Sequence, residues 1–249
     1  GNTHMLFVDG GNDGVGIGTS SVDTNATMTV SNTGDNHAIS IVGALNKSRM
    51  HFQGANTGSG STDGLVIGLS SSDDTNDDSA LIGLKENGSM TFQTNNTNHL
   101  IIDGNGHVTM PKQSAFMAYL SSSTFNLANG SAQTLSFQTE QFDLNADFAS
   151  NTTFTAPVSG KYLLTASVRL DSLQSNTNYA YLGWQTSNRN IVFWLSAPQD
   201  WNGGAYYTAN GAVLCDMDAN DTAYIYFFGQ GGTDQADHTD GYFSGYLVA

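Results

Sequence analysis

FQTEQFDLNADFASNTTFTAPVSGKYLL, the segment from Phe137 to Leu164, is the most informative part of this chain. Its first half sets aromatic side chains among polar ones, and its second half runs from Phe154 to Pro157 into a Ser-Gly pair ending at Gly160. Apolar or small side chains then occupy every second position from Tyr162 to Val168. Successive strand side chains point to opposite faces, so the segment predicts a strand, a tight turn and a second strand with one buried face.

Composition predicts that strands and turns build the whole chain. All but two of the 22 acidic residues are Asp, the exceptions being Glu86 and Glu140. Asp favours turns and caps, whereas Glu is a good helix former. The chain has 28 Gly and no long segment of helical period, so the predicted fold class is all-β.

Charge and cysteine content exclude several classes of partner. The formal net charge is −15, with seven Lys and Arg, and this balance repels phosphate backbones and anionic lipid heads. We therefore predict no nucleic-acid partner. The longest apolar runs, Ile191–Leu195 and Tyr224–Phe228, have the length of strands and predict no membrane insertion.

Cys215 is the single cysteine, so stability must come from packing or assembly. Gly1–Met5 resembles a remnant of cloning, so the missing signal peptide carries no weight.

Residues 6–112 form a region of loosely repeated β motifs. Leu6–Gly10 and Leu100–Gly104 each join an apolar triplet to Asp-Gly, and each leads through an Asn-rich turn into a strand containing Val. Leu65–Leu69 and Leu81–Leu84 form a second similar pair, separated by a polar connector. These repeats predict short β-hairpins.

A further hairpin is predicted from Leu84 to Phe92, because Asn87-Gly88 is a strong two-residue turn signal. Only three aromatic residues, Phe7, Phe52 and Phe92, lie in residues 6–112. Such hairpins cannot bury a core within one chain. Three copies around one axis would bury the thin apolar faces and remove the open strand edges. The alternative is a single monomeric β-sandwich.

The most informative segment also carries a family resemblance. The spacing of its aromatic, acidic and glycine residues resembles the signature of the C1q globular head, a jelly roll related to tumour necrosis factor: Phe137, Asp143, Phe148, Phe154, Gly160, Tyr162 and Leu164. The gap between Phe148 and Phe154 is one residue shorter than is usual, and Leu164 stands where an aromatic is common. Ala115–Ala118 and Tyr242–Val248 resemble the first and last strands of the family. The resemblance covers residues 113–249 and implies a trimeric binding domain rather than an enzyme.

The region before it resembles another kind of protein. Val15–Ser21, together with Asp-Gly-x-Gly-x-Val at Asp103–Val108, is similar to shaft segments of viral tail-fibre and appendage proteins. Similar repeats occur in bacterial surface proteins. The resemblance implies a trimeric β-shaft over residues 6–112, with residues 113–249 as the head at its end. The implied location is the virion, and the alternative is the outside or surface of a bacterial cell.

Aromatic side chains in polar loops are the candidate ligand-binding residues. A flat apolar ring beside amide and carboxylate groups suits recognition of sugars or proteins. Two predicted loops supply the candidates: Asp200, Trp201, Asn202 and Tyr206 in the first, and Asp237 and His238 in the second, which also holds Asp234 and Asp240. The alternative for Trp201 is packing over the sandwich or a subunit contact. Trp184 and Trp194, in predicted strands, are interpreted as core or trimer-contact residues.

Metal and catalytic signals are weak. Asp216, Asp218 and Asp221 alternate in a way that suits calcium, but the glycine and distant Glu of a helix-loop-helix calcium site are missing. A polar turn before the strand Thr222–Phe228 is the favoured interpretation. The six His are scattered without zinc spacing, and no Gly-x-Ser-x-Gly elbow is present. We therefore predict no catalytic residues and no cofactor, with calcium as the alternative.

The sequence thus predicts a homotrimeric viral fibre fragment, from a bacteriophage, that attaches to a glycan or protein of a host surface. A three-fold ring joins unlike patches of each subunit. Strands with outward aromatic side chains are the predicted contacts: Tyr179, Tyr181, Tyr224, Tyr226 and Tyr246. The alternative is a bacterial adhesin or carbohydrate-binding protein of the same build. A polysaccharide-degrading fibre would need carboxylates grouped in a groove, and no spacing in the sequence groups them.

Overall fold

A computed structural model describes residues 6–11, 14–17, 28–30, 49–60, 62–70, 79–194, 206–232 and 235–249. These residues form 21 β-strands and no helix, which confirms the predicted all-β class. No helix long and apolar enough to cross a membrane occurs among them. Contacts divide the chain into two compact units: residues 1–90 with 103–105, and residues 91–102 with 106–249. The predicted boundary at residue 112 stays a prediction.

The N-terminal unit contains two small sheets. Strands β1 (Phe7–Asp9), β2 (Gly14–Ile17) and β3 (Met28–Val30) form the first, in which β1 and β2 are antiparallel and β2 and β3 are parallel. Strands β4 (Arg49–Phe52), β5 (Leu65–Ser70) and β6 (Ser79–Leu84) form an antiparallel sheet. The motif that begins at Leu6 therefore forms the hydrogen-bonded strands β1 and β2, as predicted. The similar motifs that begin at Leu65 and Leu81 form the hydrogen-bonded strands β5 and β6.

These two sheets bury little. Val66 is the one large apolar side chain that is fully buried among the described residues of this unit. Large apolar side chains such as Val8, Phe52 and Ile82 lie exposed to solvent. Sheets of this size need a partner to bury an apolar face.

The predicted hairpin on Asn87-Gly88 is wrong. Strand β7 (Met90–Thr94) pairs with β8 (Thr97–Ile102), which pairs with β9 (Val108–Thr109), while β6 pairs with β5. The tight turn is instead Asn95-Asn96, whose φ angles of 49° and 56° suit a two-residue hairpin. The chain after β6 stays tied to Gly64, which accepts a hydrogen bond from the Lys85 amide at 2.9 Å and donates one to the Glu86 carboxylate at 2.8 Å.

Two six-stranded antiparallel sheets form the C-terminal sandwich. In the first, which we call the β16 sheet, the order is β13-β10-β21-β16-β19 with β11 beside β21. Its strands are β10 (Ala115–Tyr119), β11 (Thr124–Leu127), β13 (Thr139–Asp143), β16 (Gly160–Asp171), β19 (Tyr207–Met217) and β21 (Ala236–Leu247).

In the second, the β20 sheet, the order is β14-β15-β20-β17-β18 with β12 beside β20. Its strands are β12 (Gln133–Thr134), β14 (Phe148–Ala149), β15 (Thr153–Thr155), β17 (Thr177–Thr186), β18 (Asn190–Trp194) and β20 (Thr222–Gly231). The predicted first and last strands of the region, β10 and β21, are neighbours in the β16 sheet.

The core between the sheets is built from the alternating and aromatic residues that the sequence indicated. Every second side chain of β16 from Tyr162 to Leu170 is buried, as predicted. The ring of Phe116 stacks on those of Phe148 and Phe154, with centroids 5.1 Å and 4.8 Å apart. Trp184 is buried and packs against Phe193, which confirms its core interpretation.

The two strands of the most informative segment lie in opposite sheets. Strand β15 pairs with β20, whereas β16 pairs with β19 and β21, so the turn between them crosses the sandwich instead of closing a hairpin. The buried rings of Phe154 and Tyr162 consequently meet in the core, with centroids 5.4 Å apart. The Tyr162 hydroxyl donates a hydrogen bond to the Val158 carbonyl at 2.8 Å.

The acidic and glycine members of the segment have different roles, since Asp143 holds a turn and Gly160 packs against Leu247 and Ala249. The Asp143 carboxylate accepts hydrogen bonds from the amides of Asp147 and Phe148 at 3.0 Å and 2.9 Å. Gly160 lies against the end of the chain, where a Cβ atom would come within 2.6 Å of both the Ala249 carbonyl oxygen and the Leu247 side chain. A side chain at Gly160 would therefore displace the C-terminal residues.

Candidate functional site

Of the candidate binding residues, Tyr206 is the one that the structure leaves most open to solvent. Its side chain is 65% exposed, and the Arg169 guanidinium lies 4.5 Å from the ring centroid. A cation at that distance is attracted to the ring face. Asp200, Trp201 and Asn202 lie outside the described residues, so their role stays a prediction.

Asp237 does not lie in a loop. It is the second residue of β21, where it pairs with Asp171 of β16. One carboxylate oxygen accepts a hydrogen bond from the Asn126 backbone amide at 2.8 Å. The other accepts one from the Ser172 hydroxyl at 2.9 Å. Asp237 therefore joins neighbouring segments at this end of the sandwich. The predicted loop before the last strand is wrong for Asp237, His238 and Asp240, because β21 begins at Ala236.

His238 is not at the surface. Its side chain is fully buried, and its ring meets that of Phe137 edge to face with centroids 5.4 Å apart. Neither ring nitrogen has a partner within hydrogen-bond geometry among the residues that the structure describes. Burial lowers the pKa of His238 to about 4, and the backbone and carboxylate of Asp240 offset only part of that effect. The prediction that His238 contacts a surface ligand is therefore wrong, because its strand pairing turns it inward opposite Leu170.

The three calcium candidates are each held by other groups of the protein, and the Asp218 carboxylate accepts the Ser159 hydroxyl at 3.3 Å. Asp216 forms an ion pair with Arg189 at 2.8 Å. Asp221 accepts hydrogen bonds from the Asn188 amide group at 2.7 Å and from the Asp218 backbone at 2.9 Å. No set of three or more His, Cys, Asp or Glu side chains converges as metal ligands in the described part of the chain. Because calcium requires several oxygens around one point, this arrangement supports the polar-turn interpretation.

The five outward tyrosines do not share one face. Tyr179, Tyr181, Tyr224 and Tyr226 alternate with core residues of β17 and β20, so they lie on the outer face of the β20 sheet. Tyr246 lies on the outer face of the β16 sheet, on the other side of the sandwich. A single flat interface therefore cannot contain all five.

Tyr226 also differs from the prediction in its exposure, which is only 4%. Its ring lies over Gly183, where an added Cβ atom would come within 2.6 Å of it, and its hydroxyl donates to the Asn190 side chain at 2.7 Å. Burial raises the pKa of Tyr226. Tyr226 is therefore a packing residue within its own sheet.

The outer face of the β16 sheet carries more apolar side chains than the sequence predicted. Strand register places Met117 beside Phe142, and Leu163 between Leu214 and Tyr246. Leu214 is 60% exposed, and Phe142 and Tyr246 are also exposed. The alternation of β19 carried the signal, since Leu214 falls out of phase with the core residues Cys215 and Met217.

A shallow pocket of about 400 Å³ opens on this same face. Its lining includes Tyr119, Tyr242 and Arg169. The Arg169 guanidinium pairs with Asp240 at 3.2 Å and donates to the hydroxyl and the carbonyl of Thr239. The cation is thus satisfied by its neighbouring strand, so it has little capacity left for an anionic ligand.

The sandwich of two antiparallel sheets buries the apolar residues of the C1q-like signature, which are Phe137, Phe148, Phe154, Tyr162 and Leu164. A model of the C1q domain matches residues 115–248, more than half of the chain. The chain belongs to the C1q domain family. Domains of the C1q and tumour-necrosis-factor-like kind are generally structural or ligand-binding, are often trimeric and are typically extracellular.

Solved structures that resemble part of this chain do so at low sequence identity. The globular domain of zebrafish complement 1qA protein is 15% identical, over 55% of this chain and 98% of its own, with a TM-score of 0.43. Murine APRIL at pH 8.0 is 12% identical, over 55% and 100%, with a TM-score of 0.40. The PRD1 vertex protein P5 is 12% identical, over 55% and 98%, with a TM-score of 0.39. The comparison with curated proteins found no match.

Proposed function

We propose that this chain is a homotrimeric attachment protein, the end of a viral tail fibre or appendage, and not an enzyme. The C1q domain holds three chains together and presents loops to a glycan or protein of the host surface. Residues 6–112 are the fibre shaft. The observation that carries the proposal is a C1q domain with an exposed apolar sheet face, joined to short sheets that bury almost nothing.

The outer face of the β16 sheet is the proposed subunit contact. Two neighbouring rows cross five of its strands, one with Phe142 and Met117 and the other with Leu163, Leu214 and Tyr246. Burying exposed apolar side chains such as these contributes about 25 cal/mol for each Å² removed from water. Contiguous apolar patches on a soluble protein commonly mark an interface.

The sheets before the C1q domain support the same assembly. Among the described residues of this region, Val8, Phe52 and Ile82 are exposed and Val66 is the one large apolar side chain that is fully buried. In a trimer, the apolar side chains of three chains cover one another around the axis.

Light scattering on the full chain tests the assembly. We expect the mass of three chains at micromolar concentration, and the mass of one chain for Leu214→Asp, because a carboxylate would be buried in the contact. Val158→Asp is the matched control, since Val158 is 47% exposed in the turn between β15 and β16. A wild-type protein with the mass of one chain would exclude the trimer.

Binding to whole cells tests attachment. Fluorescently labelled protein should bind a restricted set of bacterial strains and leave others unlabelled. Trp201→Ala should weaken labelling without lowering the melting temperature, if Trp201 contacts the receptor. A core Trp replaced by Ala costs about 3–5 kcal/mol, so an unfolded variant would assign Trp201 to the core. Absence of labelling across a broad panel of strains would contradict the proposed function.

A further inference from the structure

The outer face of the β20 sheet carries an aromatic row that the proposed trimer contact does not use. Strands β17 and β20 are paired here in four successive rungs of outward residues: Tyr179 with Gln230, Tyr181 with Phe228, Gly183 with Tyr226, and Gln185 with Tyr224. Every rung contains an aromatic side chain, and the first and last rungs also contain a glutamine. From the first rung to the last the row spans about 20 Å at the usual rise of a strand.

Three of these rings have one orientation. The planes of Tyr179 and Tyr181 are parallel, and that of Phe228 is within 18° of both, with centroid distances of 5.3 to 6.3 Å. Tyr179 is 43% exposed, and Tyr181 and Phe228 are half-buried. Tyr226 meets Tyr181 edge to face and fills the recess that Gly183 leaves. The row is therefore held by packing within the sheet, so its ring geometry is set before any ligand arrives.

The chemistry around the rings is polar but uncharged. None of the six strands of the β20 sheet contains Asp, Glu, Lys, Arg or His. The β16 sheet, by contrast, includes Lys161, Arg169 and several Asp. In a chain with a net charge of −15, a whole sheet without an ionisable acid or base is unusual. The polar groups beside the rings are the amides of Gln185, Gln230 and Asn190.

We propose that this face, Tyr179, Tyr181, Phe228 and Tyr224 with Gln185 and Gln230, binds a neutral oligosaccharide. The proposal rests on the proposed function and names the class of receptor. The C–H faces of sugar rings are apolar and stack on aromatic rings, while sugar hydroxyls bond to amides at the rim. A row of several aromatic residues suits a chain of several sugars.

Charge argues against other partners of this face. Anionic glycans, phosphate-bearing polymers and lipid headgroups would meet no cation in these strands and would be repelled by the net negative charge of the chain. The other face of the sandwich is richer in aliphatic side chains and suits contact between subunits better. A second copy of the chain on the aromatic row remains an outcome of the experiment.

The test uses the full chain on an array of immobilised oligosaccharides. The neutral set contains hexose, N-acetylhexosamine and deoxyhexose chains, and the anionic set contains sialylated and uronic-acid chains. We expect binding within the neutral set only. Tyr181→Ala should weaken this binding about tenfold or more. Tyr179→Ala should weaken it as well, and this second variant carries the test if Tyr181→Ala proves unstable. Tyr181→Phe keeps the ring and should retain most of the binding.

Phe125→Ala is the matched control, because Phe125 is 66% exposed on β11 of the other sheet. It should bind the array as the wild type does. The mass of each variant in solution is also measured by light scattering. Binding confined to anionic glycans, no binding to any neutral chain, or a fall in mass for Tyr181→Ala or Tyr179→Ala would overturn the proposal.

The two proposals fail in different ways. If cells are labelled equally by the wild type and by Tyr181→Ala, attachment stands and the aromatic face is not the site. If no cell is labelled but a neutral oligosaccharide still binds through Tyr181, the glycan site stands and host attachment falls.

Discussion

The ring of Phe116, from the β16 sheet, stacks on the ring of Phe154, from the β20 sheet, with centroids 4.8 Å apart and planes 13° apart. Phe148 stacks on the same Phe116 ring, and Phe243 meets it edge to face. This four-ring cluster joins the two sheets where the first and last strands of the C1q domain lie side by side.

Phe154→Ala should lower the free energy of unfolding by about 3–5 kcal/mol, because the lost ring leaves a cavity between two sheets that cannot close around it. Denaturant unfolding measures the change. Phe125→Ala, at an exposed position, should shift stability by about 0.5 kcal/mol or less. Similar values for the two variants would show that the stacked rings do not hold the sandwich together.

Gly160→Ala should destabilise the domain by about 1–3 kcal/mol, since the new methyl group would overlap the Ala249 carbonyl and the Leu247 side chain. Those residues are held in place by the hydrogen bonds of Lys161 with Val248 and Ala249. Thermal melting checks the result. Gly54→Ala is the control, because a Cβ at Gly54 meets no atom of the described residues within 4 Å. An unchanged melting temperature for Gly160→Ala would mean that the C-terminal residues move aside freely.

Stability should fall in acid through His238. The pKa of its buried ring is about 4, below the ordinary value of 6.5 that the unfolded chain would have. Between these values the unfolded state binds more protons than the folded state, so stability is fully present above pH 6.5 and is lost as the pH falls toward 4. The shift corresponds to about 3 kcal/mol.

The melting temperature as a function of pH tests this, with His238→Leu as the variant. The loss of stability of the wild type between pH 6.5 and 4 should be smaller in the variant, whereas His51→Gln, at an exposed position, should behave as the wild type does. If all three proteins lose stability equally, the carboxylates alone cause the acid sensitivity.

Residues 113–249 should fold as a cooperative unit and assemble without the preceding region, whereas residues 6–112 alone should not. All three Trp and all ten Tyr lie in the first fragment, and large aromatic side chains contribute about 2–3 kcal/mol each when buried. Calorimetry on the two purified fragments measures this. A cooperative transition from the 6–112 fragment would contradict the proposed dependence of the shaft on assembly.

Much of the sandwich could be predicted because its signals are local. The alternation from Tyr162 to Val168 identifies the buried face of β16 from neighbours two residues apart, and the Asp143 carboxylate holds a turn within its own segment. Trp184 was predicted as a core or trimer-contact residue from its place in a strand, and its burial in the structure decides for the core. The all-β class follows from the near absence of Glu and from the abundance of Asp and Gly.

What the sequence alone determined, then, is which residues share a face of a strand, because that depends only on the two-residue period of an extended chain. Only the tertiary structure decided which strands are neighbours, since strand pairing joins residues far apart in the chain. That pairing put β15 and β16 in opposite sheets, moved the tight turn from Asn87-Gly88 to Asn95-Asn96, and turned His238 into the core. It also separated Tyr246 from the other tyrosines, because the inner or outer position of a face depends on the sheet that packs against it.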